Sequence, residues 1–386
     1  MRTRLTLATA AISFAAAAQW TSVPSGTTTM LEAVHAIDAQ HLLSSGKDGV
    51  LFHSTDAGNS WQPLVSGYGD DINEVMQLST QEFLLFADGG VVIKRTDGGN
   101  TWNNSSAGTT SELVGAARRS GVIIAVGEEG TIVRSGSAGA SWSSITSGTV
   151  QDLQAVQVLG PQDWFAVGKN GTALRSSDDG FTWTGVATST TADLNDVRFT
   201  DANNGMICGD EGVLLRTTDG GDHWTAVSSG TGLELNALWN DGATWYTCGV
   251  GGTVRTSSNG TAWTAMTTPV STELRDVVVS GGTGVAVGDL GTVIRLGAGG
   301  TAIADVALLD GLQVRTGQGL VVVTLADTDQ WDAVHATVVD IQGRVVLQLG
   351  ALGTTTELRD LPTGTYVLHL TREGYGAATR SFVAVR

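Results

Sequence analysis

The stretch GVLLRTTDGGDHW, residues 212–224, decides the fold. Its first half is an apolar, β-branched run opened by a glycine, and its second half is rich in Gly and Asp and closed by Trp224. That is a strand running into a tight turn. The Asp219 carboxylate is suited to accept backbone N–H groups inside the turn, Gly221 to supply a left-handed backbone, and Trp224 to pack back over the corner. The same unit recurs along the chain. Trp stands at 20, 61, 102, 142, 183, 224 and 263, at intervals of 39 to 41 residues. Full copies of the corner carry Asp56, Gly58 and Trp61; Asp97, Gly99 and Trp102; Asp178, Gly180 and Trp183; and Asp219, Gly221 and Trp224. Two weaker copies have Ser137 and Ser258 in the acidic place.

Two further strand-like runs fit in each interval, one of the LNDV type (residues 194–197) and one of the AVG type (residues 166–168). Four short strands per ~40 residues, repeated, make a propeller blade. The seventh glycine-opened run, GTVIRL at 291–296, has no Trp strand after it, whereas WTSVPSG at 20–26 has no hairpin before it. The N-terminal strand is therefore expected to complete the seventh blade and remove the open sheet edge. The fold expected is all-β: a seven-bladed β-propeller closed by its N-terminal strand, over residues 19–301, followed by a small β-sandwich over 305–386.

Composition agrees with a closed β-fold and narrows the partners. Of 386 residues 52 are Gly, 5 Pro and 2 Cys, and charged residues make up 15%. The formal charge of −17 removes the diffuse attraction that drives binding to nucleic acid, so none is expected as a partner. Arg2 and Arg4 precede an Ala-rich apolar run that ends in small residues before Gln19, which reads as a signal peptide over residues 1–18 and implies export. No other segment approaches membrane length, and a monomer is expected. Cys208 and Cys248 occupy places held by Val in other repeats and read as small buried hydrophobes.

The S-x-D-x-G-x-x-W corners are Asp-boxes, or BNR repeats. With the Gly-Thr-Ile/Val-x-Arg and Ala-Val-Gly strands, the chain resembles the seven-bladed propellers of the photosystem II stability/assembly factor family. That resemblance implies a noncatalytic module that binds protein subunits. Past residue 304 the Asp-box is absent and alternating runs such as LVVVTL, HATVVD and TYVLHLT follow. VVDIQGRVV, with Gly343 and Arg344, and LPTGTY, with Leu361, Pro362, Gly364 and Tyr366, resemble the type A C-terminal sorting domain of the type IX secretion system. The usual Asn-Pro near that domain's start is replaced by LLDGLQV. The resemblance implies passage through the periplasm of a Gram-negative bacterium, engagement of the type IX machinery, and release to the cell surface or medium.

Residues that break the repeat, or ring it, are the candidates for function. A base stands near the end of the third strand of nearly every blade, including Arg134, Arg175, Arg216, Arg255 and Arg295. An acid precedes six inner strands: Asp71, Glu112, Asp152, Asp193, Glu234 and Glu273. One reading is a ring of acid–base pairs; the other is a basic annulus that takes an acidic peptide or glycan. Trp164, Trp239 and Trp245 with Tyr246 lie off the repeat, either as an aromatic platform or as packing between blades. Glu74, Asp196 and Asp276 share the middle of the inner strand and are placed to line a channel. Catalytic residues, a cofactor and a metal are not expected; the alternative is a carbohydrate-active or glycan-binding propeller, sialidase-like or of another glycosidase class. The expected partner is an unidentified protein or glycan.

Overall fold

A computed structural model of the chain describes residues 19–79, 81–96 and 102–297, and in the C-terminal segment 312–317, 320–325, 334–340, 344–351, 355–358, 364–372 and 375–384. The chain divides into two compact units, one of residues 19–298 and one that includes 299–386.

The first unit consists of seven four-stranded antiparallel sheets, the blades of a propeller. Their innermost strands are Leu31–Ala36, Ile72–Gln77, Leu113–Arg119, Leu153–Val158, Leu194–Phe199, Leu235–Asn240 and Leu274–Ser280. They touch one another in a circuit that returns from the seventh to the first. In the seventh blade the outermost strand is Trp20–Ser22, paired to Thr292–Leu296 with Trp20 opposite Leu296.

Burial falls from the middle of each blade outward. Second strands such as Phe83–Ala87, Trp164–Gly168 and Gly205–Gly209 are buried along their whole length, because neighbouring blades cover both faces. Fourth strands such as Thr184–Gly185 are exposed. Between the fourth and fifth blades Phe165, Phe199 and Trp224 pack with centroids 5.4 to 5.8 Å apart at tilted or edge-on angles, the arrangement that ring quadrupoles favour. Cys208 and Cys248 are buried, free thiols, and burial pushes both well above the ordinary thiol range.

Each inner strand carries a register shift after its first residue, as between Leu194 and Asp196. The residue inserted there is turned out of the ladder toward the next blade. Asn73, Asn195 and Asn236 use it to donate to the carbonyls of Leu113, Leu235 and Leu274, one blade on. The third residue, after the shift, faces the axis.

The C-terminal unit holds two antiparallel sheets. One pairs Leu312–Gly317, Leu320–Leu325 and Thr355–Leu358; the other orders Val345–Ala351, Val334–Asp340, Gly364–Arg372 and Tyr375–Ala384. Of the sorting-signal residues, Gly343, Leu361 and Pro362 lie outside the described residues. Arg344 is exposed before a strand, Gly364 opens one, and Tyr366 pairs with Asp340 and Phe382.

Candidate functional site

The Asp-box corners close the third strands at one end of each blade. In the fourth blade Ser176 Oγ accepts from the Gly180 N–H at 3.0 Å and donates to Asp178 Oδ1 at 2.8 Å. Asp178 in turn accepts from the Thr182 hydroxyl and from the N–H groups of Thr182 and Phe181. These bonds, the Thr182 hydroxyl foremost, hold its carboxyl down to about 2. Asp219 makes the same corner in the fifth blade and is likewise held at about 2, chiefly by the His223 N–H and side chain. Asp56 repeats it in the first; Asp97 and Gly99 lie outside the described residues. Trp61, Trp183 and Trp224 are buried over their corners.

The basic residues meet the next blade's corner, and not the acids before the inner strands. Lys94 donates to the Ala138 carbonyl at 3.3 Å, Arg134 Nε to that of Asp179 at 2.8 Å, and Arg295 Nε to that of Ala57 at 2.7 Å. Those three acceptors share one position, the left-handed residue that precedes the corner glycine, with φ of 52°, 65° and 58°. Arg134 adds an ion pair to Asp179 and lies 4.0 Å over the Phe181 ring; Arg175 pairs with Asp222 and Asp163. Arg255 is out of step: it stands opposite Thr247, and Thr256 takes the place held by a base elsewhere. Arg216 keeps the register, opposite Met206, yet makes no hydrogen bond or ion pair among the described residues.

The acids sit at the opposite end of the blades, so the ring of acid–base pairs expected from sequence is replaced by two separate sets of contacts. Asp71, Asp152 and Asp193 accept the N–H of Asp48, Glu129 and Asn170 in the turn of the preceding blade. Their cationic neighbours are Lys47 for Asp71 and Lys169 for Asp152, while Glu273 pairs with Arg275.

The aromatic platform is not assembled as a unit. Trp164 is wholly buried in the fourth blade, with its indole N–H 3.4 Å from Asp179 Oδ1, and is removed from any surface role. Trp245 and Tyr246 belong to the sixth blade. Trp245 lines a cleft of about 640 Å³ between the fifth and sixth blades, together with Arg198, Arg216, Asn204 and Asn240. The Tyr246 hydroxyl is 3.5 Å from Asp241 Oδ2.

On the axis a channel of about 330 Å³ is lined by Glu74, Asp196 and Asp276, with His35, Gln157 and Arg198 toward the corner end. Asp276 accepts the Val34 and Val277 N–H groups, and Asp196 those of Leu238 and Val197, so each joins two blades. Burial, with the Asp276 charge second, pushes Glu74 up from an ordinary 4.5 to about 8. Burial also raises Asp276, to about 7, and moves Asp196 upward. Arg198 donates to the Leu238 carbonyl and lies 4.2 Å over the Trp239 ring, whose N–H bonds Val279. Sequence reasoning missed the Arg198–Trp239 stack; the repeated Asn at the second place of the inner strand was visible as a signal for the stitching described above. Among the described residues no group of three or more His, Cys, Asp or Glu is placed to hold a metal ion, and no helix is long and apolar enough to cross a membrane.

Residues 176–237 match the family model described as photosynthesis system II assembly factor YCF48. That match spans the fourth corner, the fifth blade and the start of the sixth. Among solved structures the chain is similar to YCF48 bound to a D1 peptide, with 18% identity, 72% of this chain and 96% of that one covered, and a TM-score of 0.61. It is similar to YCF48 from Cyanidioschyzon merolae, with 18% identity, coverage of 72% and 98%, and a TM-score of 0.60. The WD40 β-propeller domain of Doa1 gives 16% identity, coverage of 72% and 97%, and a TM-score of 0.62. At these identities the likeness is one of fold. No curated protein matches the chain.

Proposed function

We propose that this protein is a noncatalytic propeller that binds another protein and acts as an assembly or scaffold module at the cell surface or outside the cell. The observation that carries this reading is the match of residues 176–237 to the YCF48 model, in a ring of the same fold as a YCF48 that binds a peptide. The repeat residues support it. Asp-box acids, channel carboxylates and three of the third-strand bases, Lys94, Arg134 and Arg295, are engaged with backbone groups of their own or the next blade, which is the work of a frame.

The export route belongs to the same proposal. Residues 1–18 act as the leader, and the unit from 305 onward is a β-sandwich that presents the sorting signal to the type IX machinery. Within the propeller the Trp20–Ser22 strand closes the ring, and the protein is a monomer.

A carbohydrate-active propeller is the second reading, and the upward-shifted carboxyls of Glu74 and Asp276 are its one specific support, since a raised carboxyl is a candidate general acid. A fluorogenic-glycoside screen and glycan array on the full chain separate the two. The scaffold reading expects no turnover and no glycan-specific binding; sustained hydrolysis lost in E74Q would reverse it.

A further inference from the structure

The sixth corner is one residue shorter than the others. In the fourth blade Gly180 lies four residues beyond the Ser that bonds it; in the sixth, Gly260 lies only three beyond Ser257, with Asn259 directly before it. The missing residue is the left-handed one, and at the junction of the third and fourth blades that residue, Asp179, does three things at once. Its carbonyl takes Arg134 Nε at 2.8 Å, its Oδ2 takes Arg134 at 3.0 Å, and its Oδ1 faces the indole N–H of Trp164 at 3.4 Å.

The equivalents of both donors are present one repeat pair later. Arg216 occupies the place of Arg134, and Trp245 stands opposite Ser257 as Trp164 stands opposite Ser176. Neither the Arg216 guanidinium nor the Trp245 indole N–H has a hydrogen-bond partner among the described residues. They face one spot: a Cβ built on Gly260 would stand 3.6 Å from Trp245 Nε1 and 3.7 Å from Arg216 Nε. That spot opens into the cleft of about 640 Å³, whose walls add the amides of Asn204, Asn240 and Asn259.

We infer that this cleft binds an acidic residue of a partner polypeptide, whose carboxylate bridges Arg216 and Trp245 and whose main-chain carbonyl takes the place of the absent corner carbonyl. The inference rests on the protein-binding reading above and names the chemistry of the partner. Asp179 is the internal template for the ligand: one Asp supplies both the carbonyl and the carboxylate that the paired donors require. A charge-assisted, two-point contact of this kind selects carboxylate over amide.

The test uses the full chain, an acetylated and amidated Gly/Ser peptide with one central Asp, and the same peptide with Asn. Binding is read from the Trp245 indole N–H resonance, assigned with W245F. The Asp peptide is expected to move that resonance and to bind at least about tenfold more tightly than the Asn peptide, a margin of about 1.4 kcal/mol. R216Q should abolish the preference at an unchanged Tm, because Arg216 makes no bond in the free protein. Insertion of one Asp between Asn259 and Gly260 should block the peptide and raise Tm, by restoring the contacts that Asp179 makes. Equal binding of Asp and Asn peptides, or an R216Q protein that binds as wild type, would overturn the inference; sialyllactose or galacturonate outcompeting the peptide would do so in favour of a glycan. If wild type and R216Q capture the same cell-surface protein equally, the cleft is not the site and the protein-binding reading stands. If wild type captures none, that reading itself fails.

Discussion

At the residue scale, polar side chains do the joining that disulfides do in small disulfide-rich domains. Ser176 is the pivot of its corner: its buried hydroxyl accepts the Gly180 N–H and donates to Asp178. In S176A a buried N–H loses its partner, and urea unfolding should report a loss of about 1–3 kcal/mol. Gly180 has a φ of +85°, and a Cβ there would collide with Ile124 of the preceding blade, so both conformation and space demand glycine.

The channel carboxyls give stability an unusual pH dependence. Glu74 and Asp276 titrate near 8 and 7 in the folded chain and at ordinary carboxyl values when unfolded, so between about pH 5 and 7 the folded state holds protons that the unfolded state has lost. Their contribution is complete below the unfolded values and is lost as pH rises through the folded ones. Each carboxyl thus lowers stability by about 1.4 kcal/mol for every pH unit in which it is protonated only when folded. Tm should fall from pH 5 to 8, and the E74Q/D276N double variant should flatten that slope. The corner acids act in the opposite sense and lower down: Asp178 and Asp219, held near 2, withdraw their support only as pH drops below about 4.

At the scale of elements, a blade is stable only against its neighbours. Phe165 is wholly buried at the junction of the fourth and fifth blades, in contact with Phe199 and Trp224. F165A should cost about 3–5 kcal/mol, measured by chemical denaturation. The blades were legible in the sequence because their signals are local and repeated: a glycine opening a strand, an acid and a glycine in a turn, a Trp after it. The junctions were not. Which carbonyl Arg134 or Arg295 reaches depends on how one blade leans on the next, so bases and acids at like spacing read as pairs although opposite ends of the blade separate them. The one-residue deficit before Gly260 was present in the 39-residue Trp interval. Its meaning needed the Asp179 geometry of the fourth blade to be seen.

For the whole molecule, the architecture concentrates function where the repeat fails. Seven sheets share one plan, and the seventh takes its outer strand from the chain's start, with Trp20 only 1% exposed against Gly284 and Leu296. If that strand closes the ring, removal of residues 19–26 should lower stability by at least the ~3 kcal/mol typical of losing a buried Trp; an unchanged Tm would refute closure. The partner's identity is not written in a frame that engages most of its polar groups internally. Arg216 and Trp245, two donors without a partner among the described residues that face one cleft, mark where it is sought. The most direct test is affinity capture on immobilised full chain from a surface extract of the producing cell, with bound proteins identified by mass spectrometry. The account predicts a specific protein retained by wild type and displaced by an Asp-bearing peptide; no protein retained, or a glycan retained or hydrolysed instead, would contradict it.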